Sequence, residues 1–361
     1  MNSPADDKRR LLHVPARFDI YSSLDETCVA LSKAIERHCA RDPRAVLFSG
    51  DSHTADAARI VASELSKTGL NCYQHRVSDS TLAEVREAVS SLRGNADILV
   101  AVGGGSVIDV AKLAAHELGQ PLIIIPTALS SDCIGSPVAV IKDDNGHRQS
   151  LPSVIPNQVL VDTSITLTAP QEMALAGVCD VLSNASAVLD AGEAQQQVGY
   201  VPDNFSITLS ESAYRLVLPV NWDYFNTAAG HRVLCKSLIL SGLAMGFSGD
   251  SVPCSGAEHA ISHALDRLNP RRRLHGLQVG MTTRYCHHLR RLLNKKELPS
   301  AVVQALDSLD LLTPEAMGIT QDVFLRAVRL GTAIRPGRYT VLNQLPEEPA
   351  LLEEAYRLAF T

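Results

Sequence analysis

The chain has 361 residues, 45% of them hydrophobic and 20% charged, with a formal net charge of −6 and a pI near 6.1. That length suits about two domains with a substantial core. The mild acidity excludes a general duplex-binding surface, and an aromatic content of 4% leaves little for stacking single-stranded nucleic acid. No apolar run approaches the roughly 20 residues of a membrane span, and the N-terminus has no apolar stretch suited to a secretory leader. The eight cysteines form no CxxC pair, so a reducing, cytoplasmic setting is expected.

In chain order, AVLFSG (45–50) reads as a buried strand, and ADAARIVASELSKTG as an amphipathic helix closed by Gly69. ADILVAV (96–102) reads as a second strand, SVIDVAKLAAHELG as a helix ending near Gly119, and PLIIIPT (121–127) as a third strand. Continuous apolar strands alternating with helices argue for a parallel sheet covered on both faces. SPVAVIKDDNGHRQSLP suggests a hairpin turning at DDNG, and QVLVDTS (158–164) the last strand. From TAPQ onward the pattern is mostly helical, with Thr168 as an expected N-cap, Pro170 in the first turn and Gln171 reaching back. The expected architecture is an α/β N-terminal domain (1–165) with a mostly parallel, Rossmann-like sheet, an all-α C-terminal domain (166–361), and a cleft between them.

Gly103, Gly104, Gly105 and Ser106 sit between a strand and a helix. Glycines there let backbone approach a ligand closely, and the helix N-terminus suits a pyrophosphate. Ser106 and Asp109 have capping-box spacing. Asp51, just past an early strand, is placed to bind ribose hydroxyls, which favours NAD over NADP, or to cap the next helix. The loop PTALSSDCIGSP (126–137) follows a strand toward the ligand crevice of such a sheet, with Asp132 as its polar contact.

His259, His263 and His275 fall in one short stretch. The first two are four apart and share a helix face. Imidazoles so grouped suit a catalytic divalent metal, with a carboxylate from elsewhere completing the site. The run Arg271, Arg272, Arg273 is either a solvated loop or an anion site beside His275. Asn184 is either a substrate or supporting contact, or a satisfied helix polar residue.

GGGSVIDVAK, PTALSSDCIGSP, AGVCDVLSNASAVLD, SGAEHAISHALD, LHG and IRPGRYTVL occur in that order over about residues 45 to 345. Together they resemble the sn-glycerol-1-phosphate dehydrogenase branch of the iron-containing alcohol dehydrogenase and dehydroquinate synthase-like superfamily. The resemblance implies a metal-dependent NAD(P)H oxidoreductase acting on a small polyol, polyol phosphate or its ketone or aldehyde. The leading pair is sn-glycerol 1-phosphate and dihydroxyacetone phosphate. It implies that Gly103 to Val107 (with Gly104, Gly105 and Ser106) form the pyrophosphate loop, and that Thr127, Ser130 and Ser136 add cofactor contacts. It implies Asp180, His259 and His275 as ligands of one divalent metal, zinc by default with iron and nickel also compatible, and Asp132 and His263 facing substrate. It also implies a homo-oligomer.

Two positions depart from that branch. Ser251-Val252-Pro253 stands where Ser-Arg-Pro is usual, and His275-Gly276-Leu277 where His-Gly-Glu is usual. The first removes a cation suited to phosphate, for which Arg271–Arg273 or Arg338 are candidate substitutes. The second removes a carboxylate that would support the metal ligands. The alternatives are a dehydroquinate synthase-like lyase or cyclase that returns its NAD unchanged, and a non-catalytic nucleotide-binding homologue.

Overall fold

The computed structural model describes residues 17–39, 42–51, 53–67, 69–70, 72–269, 273–345 and 349–361. Arg271 and Arg272 lie outside the described residues. In chain order the first half comprises β1 (Arg17–Tyr21), α1 (Leu24–His38), β2 (Ala45–Ser49), α2 (His53–Lys67), β3 (Cys72–Arg76), α3 (Leu82–Leu92), β4 (Ile98–Gly103), α4 (Gly105–Leu118) and β5 (Leu122–Pro126). It ends with β6 (Val138–Lys142), β7 (Arg148–Pro152) and β8 (Gln158–Asp162). Thereafter the regular elements are helical: α5 (Thr163–Thr166), α6 (Gln171–Val198), α7 (Asn204–Leu216), α8 (Ala228–Ser248), α9 (Ala257–Leu268), α10 (His275–Leu292), α11 (Ser300–Asp307), α12 (Gln321–Ile334) and α13 (Ala350–Phe360).

Six strands form one sheet in the order β1-β8-β5-β4-β2-β3, with every pairing parallel. β2, β4, β5 and β8 are buried at every residue, as their unbroken apolar runs require. Alternate side chains feed two cores. Ala45, Leu47, Ile98 and Val100 pack with α1 and α2 on one face. Val46, Phe48, Leu99 and Ala101 pack with α3 and α4 on the other, in a core that runs on into the helical half. The hairpin is present, with β6 and β7 antiparallel around the turn.

The two edge strands were not legible as strands. RFDIY and CYQHR are polar and partly exposed, because an edge has one neighbour and open space beyond it. Two expected caps are also corrected. Pro170, not Thr168, holds the N-cap of α6, and the Thr168 hydroxyl instead donates to the Ile165 carbonyl at 2.7 Å. Gly104 is the N-cap of α4 without any side-chain capping bond, so Ser106 and Asp109 form no capping box. The N-cap lies two residues earlier than that reading, and Asp109 is buried instead.

The strand order sets where a ligand fits. From β2 the chain goes outward to β3; from β4 it goes the other way, to β5 and then β8. The reversal lies between β2 and β4, and the crevice outside their carboxyl ends is where such sheets bind ligands. Gly50 and Asp51 follow β2, and Gly104 and Gly105 follow β4.

α6 is long and apolar enough to cross a membrane by length and composition, but 72% of its apolar window is buried inside the protein. It is apolar nearly all round because helices cover it on several sides, with α10 and α7 packed along it.

Candidate active site

A cleft of about 1300 Å³ runs between the carboxyl edge of the sheet and the helical half. On the sheet side it is lined by Asp51, Gly104, Gly105, Ser106, Val107, Thr127, Ser130, Asp132 and Ser136. On the helical side it is lined by Asp180, His259, His263 and His275. Thirteen of the fourteen residues that the sequence offers for cofactor, metal and substrate therefore face one space. The other, Gly103, is the last residue of β4, and its carbonyl accepts from the Thr127 amide at 3.0 Å.

At the inner end, ligating atoms of Asp180, His259 and His275 all lie within 4.8 Å of one another. Asp180 Oδ1 is 3.9 Å from His259 Nε2 and 3.8 Å from His275 Nε2. These gaps exceed a hydrogen bond. They approach the roughly 3.4 Å edge of a tetrahedron built on metal bonds of about 2.1 Å. Three carboxylates (Asp180, Asp132 and Glu258) gather here, and burial followed by the nearby Asp132 charge pushes the Asp180 carboxyl well up. The imidazole of His275 is held well down by burial and by the neighbouring His259, so it stays neutral with a lone pair to give. A donor set of one carboxylate and two imidazoles fits a divalent cation.

Separate stretches of chain converge by specific packing. α9 carries His259 and His263 one turn apart. His275 opens α10, and Gly276 beside it lets α10 press against α6: a Cβ there would meet the Ala176 carbonyl oxygen at 1.9 Å. Ala176 is one turn before Asp180 on α6, so this contact is what brings His275 to Asp180.

Hydrogen bonds orient Asp180, His259 and the neighbouring Asp132. The Asp132 amide donates to Asp180 Oδ2 at 3.1 Å. Asn184 Nδ2 donates to Ser241 Oγ at 3.1 Å, which donates to Asp132 Oδ2 at 2.8 Å. Asn184 is thus a buried anchor for Asp132 rather than a residue of the cleft wall. Burial raises the Asp132 carboxyl, against the Ser241 hydrogen bond. His259 Nδ1 faces Glu258 Oε1 at 2.9 Å. Burial alone would raise Glu258, but the His259 contact outweighs it and holds the carboxyl below its usual range. An ionised Glu258 accepts, so the proton sits on His259 Nδ1 and Nε2 is left to face the triad.

His263 does not join the Asp180 cluster. Its ring lies 5.9 Å from that of His275, and its Nε2 lies 3.3 Å from Arg335 Nη2. Guanidinium can only donate, so Nε2 accepts and the ring is neutral. Burial, then the Arg335 charge, hold its pKa well below the usual value.

Near the mouth, Asp51 is 3.2 Å from Arg76 Nε, with the Asp51 side chain 54% exposed. Ser136 borders the cleft, but its hydroxyl donates to the Val138 carbonyl at 3.2 Å and receives Lys112 Nζ at 3.1 Å. Arg273 lines the cleft while donating to the Met317 and Asn269 carbonyls. Arg338 donates to Ser251 and to the Ser255 carbonyl. Five contributors were missed from sequence: Glu258, Ser241, Ser255, Arg148 and Arg335. Glu258 adjoins a candidate ligand and Arg335 is the second residue of the quoted IRPGRYTVL, so both had a signal; Ser241, Ser255 and Arg148 carried none.

The iron-containing alcohol dehydrogenase family profile matches residues 25–170. Glycerol-1-phosphate dehydrogenase (NAD(P)+) of Pyrococcus horikoshii is 34% identical over 283 residues, covering 78% of this chain and 80% of the relative. The Methanothrix thermoacetophila protein of the same name is 33% identical over 321 residues, covering 85% and 86%. The chain belongs to the glycerol-1-phosphate dehydrogenase branch of the iron-containing alcohol dehydrogenase superfamily. Glycerol dehydrogenase of Schizosaccharomyces pombe superposes with a TM-score of 0.75 at 20% identity, over 96% of this chain and 89% of that one. Sulfoacetaldehyde reductase of Bifidobacterium kashiwanohense, solved with NAD+, superposes at 0.71 and 17% identity, over 96% and 98%. Those two likenesses establish the shared fold. By class the protein is an NAD(P)-dependent, metal-containing alcohol dehydrogenase, which sets aside the non-catalytic alternative.

Proposed function

We propose that this enzyme interconverts a small polyol phosphate and its ketone, with sn-glycerol 1-phosphate and dihydroxyacetone phosphate as the leading pair. The observation that carries the reading is the convergence of Asp180, His259 and His275 at the inner end of a cleft whose other wall is the glycine loop. In this reading those three side chains hold one divalent cation. Zinc is assigned first; iron and nickel accept the same donors.

The division of labour follows from the walls. Backbone amides at Gly105, Ser106 and Val107, at the positive end of α4, receive the pyrophosphate. Thr127 and Ser130 flank that path, and Ser136 supports it from beneath through Lys112. Asp51 takes the ribose hydroxyls; Arg76 at its side leaves room for either NAD or NADP, with NAD favoured. When bound, the cation supplies Lewis acidity toward the substrate oxygen, and the nicotinamide supplies or takes the hydride. Asp132, held by Ser241, orients a substrate hydroxyl. His263 accepts a hydroxyl proton at Nε2.

The boundary between the cofactor-binding and the metal- and substrate-binding halves is placed at 165/166, just after β8. All eight cysteines are free, which supports a cytoplasmic setting. A homo-oligomer is proposed from family resemblance.

The test is an NADH assay on metal-loaded protein with dihydroxyacetone phosphate. NADH oxidation that needs both ketone and metal supports the reading. Formation of a product with no net NADH change would move the enzyme to lyase chemistry.

A further inference from the structure

We infer that Arg335 is the anion clamp of the substrate subsite, holding the phosphate of the polyol phosphate against the helical wall of the cleft, with Arg148 facing it from the β6–β7 hairpin. The inference rests on the phosphorylated-substrate reading above and assigns that phosphate to side chains of this chain.

Arg335 immediately follows α12 and lines the cleft. Its Nη1 donates to Ser251 Oγ at 2.9 Å and Ser255 Oγ at 2.7 Å, two good bonds that fix the plane of the guanidinium. Its Nη2 is engaged only at long range, with Ser150 Oγ at 3.4 Å and His263 Nε2 at 3.3 Å. One edge of the fork is therefore anchored, and the other is held loosely beside the residue that faces substrate. A phosphate oxygen is a far better acceptor for that edge than a hydroxyl or an imidazole.

Charge balance points the same way. The fully buried guanidinium in this half, Arg290, is neutralised by both Asp190 and Glu193. Arg335 has no carboxylate within ion-pairing distance among the described residues, and its neighbour Arg338 adds a second positive charge. Burial, then Arg338, bring Arg335 down to about 10. A guanidinium left unpaired in a desolvated wall is a standing cost that a bound dianion offsets.

Arg148 stands on β7 and also lines the cleft. Its charge reaches His263 and His275, so it faces the same volume as Arg335. The hairpin that carries it is tied down by Lys142 to Asp79 at 2.5 Å. Two cations from the walls of the cleft thus act on His263, one imidazole away from the Asp180–His259–His275 triad. This arrangement supplies the positive charge missing at Val252.

The experiment compares kcat/KM for dihydroxyacetone phosphate and for dihydroxyacetone, with metal-loaded enzyme and NADH. For Arg335→Met the ratio between the two ketones falls about 100-fold, through KM for the phosphorylated one, as expected for loss of a charge-assisted pair. Arg335→Lys recovers part of the ratio, because charge returns without the fork. Arg148→Met, on the hairpin and away from the core, lowers the ratio by about 10-fold and serves if the Arg335 variants fold poorly. NADH binding followed by fluorescence reports that each variant is folded. A ratio within about threefold of wild type in both the Arg335→Met and Arg148→Met enzymes overturns the clamp while leaving the polyol phosphate reading intact. A wild-type enzyme that shows no preference for the phosphorylated ketone overturns that reading, and the clamp with it.

Discussion

Glu258 Oε1 lies 2.9 Å from His259 Nδ1, and the same oxygen accepts from the Gly256 amide at 2.6 Å. Neighbours in sequence, the two side chains form a unit: the carboxylate fixes which imidazole nitrogen carries the proton and so which nitrogen faces Asp180. Leu277 stands where a supporting carboxylate was expected, and it packs against the core. The carboxylate that does touch a triad imidazole is Glu258, on α9.

Glu258→Gln should therefore lower divalent-metal affinity by about 10- to 100-fold, the usual consequence of losing such a partner. Calorimetric titration of metal into apo protein measures it. Unchanged affinity would show that His259 is oriented by its helix alone.

Gly104 has nothing within 4 Å of where a Cβ would stand, although it faces the cleft. Gly104→Ala should fold with near wild-type thermal stability, yet raise the dissociation constant for NADH by about 10-fold, because the methyl occupies space the pyrophosphate needs. Fluorescence titration with NADH separates this from a folding defect. Unaltered affinity would move the phosphates off this loop.

Asp51 and Arg76 form an exposed pair at the cleft mouth, one suited to ribose hydroxyls and the other to a phosphate. Asp51→Asn should shift the NADPH-to-NADH ratio of kcat/KM upward by about 10-fold, by removing the charge that repels a 2′-phosphate. Steady-state kinetics with both nucleotides reads it; a fixed ratio would place the adenosine ribose elsewhere.

Burial pushes the Asp109 carboxyl up to about 7, against the pull of Lys112. The folded chain then keeps a proton that an unfolded chain has already lost above about pH 4. Its contribution to stability is full in acid and is lost as pH rises from about 4 through about 7. Asp109→Asn should flatten that slope, gaining stability relative to wild type at pH 7.5 more than at pH 4.5. Denaturant unfolding at the two pH values measures the difference. Parallel curves would mean that Asp109 stays ionised in the fold.

The parts of the molecule legible in its sequence were those governed by local pattern. β2, β4 and β5 announced themselves because burial on both faces leaves only apolar residues. The glycine loop and the pair His259 and His263 were legible because a strand–helix turn and a helix repeat are local. β1 and β3 were not, since edge strands carry polar residues such as Gln74 and His75 that no alternation marks. Nor were Ser255, Arg148 or Ser241, whose roles depend on which distant segments the fold brings together. Helix spacing alone put His259 and His263 on one face and did not separate them; the resemblance did, and the packing of α10 on α6 is what carries His275 to Asp180.

The central claim is that Asp180, His259 and His275 share one cation within the cofactor cleft. Elemental analysis of purified wild type, Asp180→Asn and His275→Ala, each with a parallel NADH-binding titration, tests it most directly. About one divalent metal per chain in the wild type, lost in both variants while NADH still binds, is the expected result. Stoichiometric metal retained in both variants would contradict it.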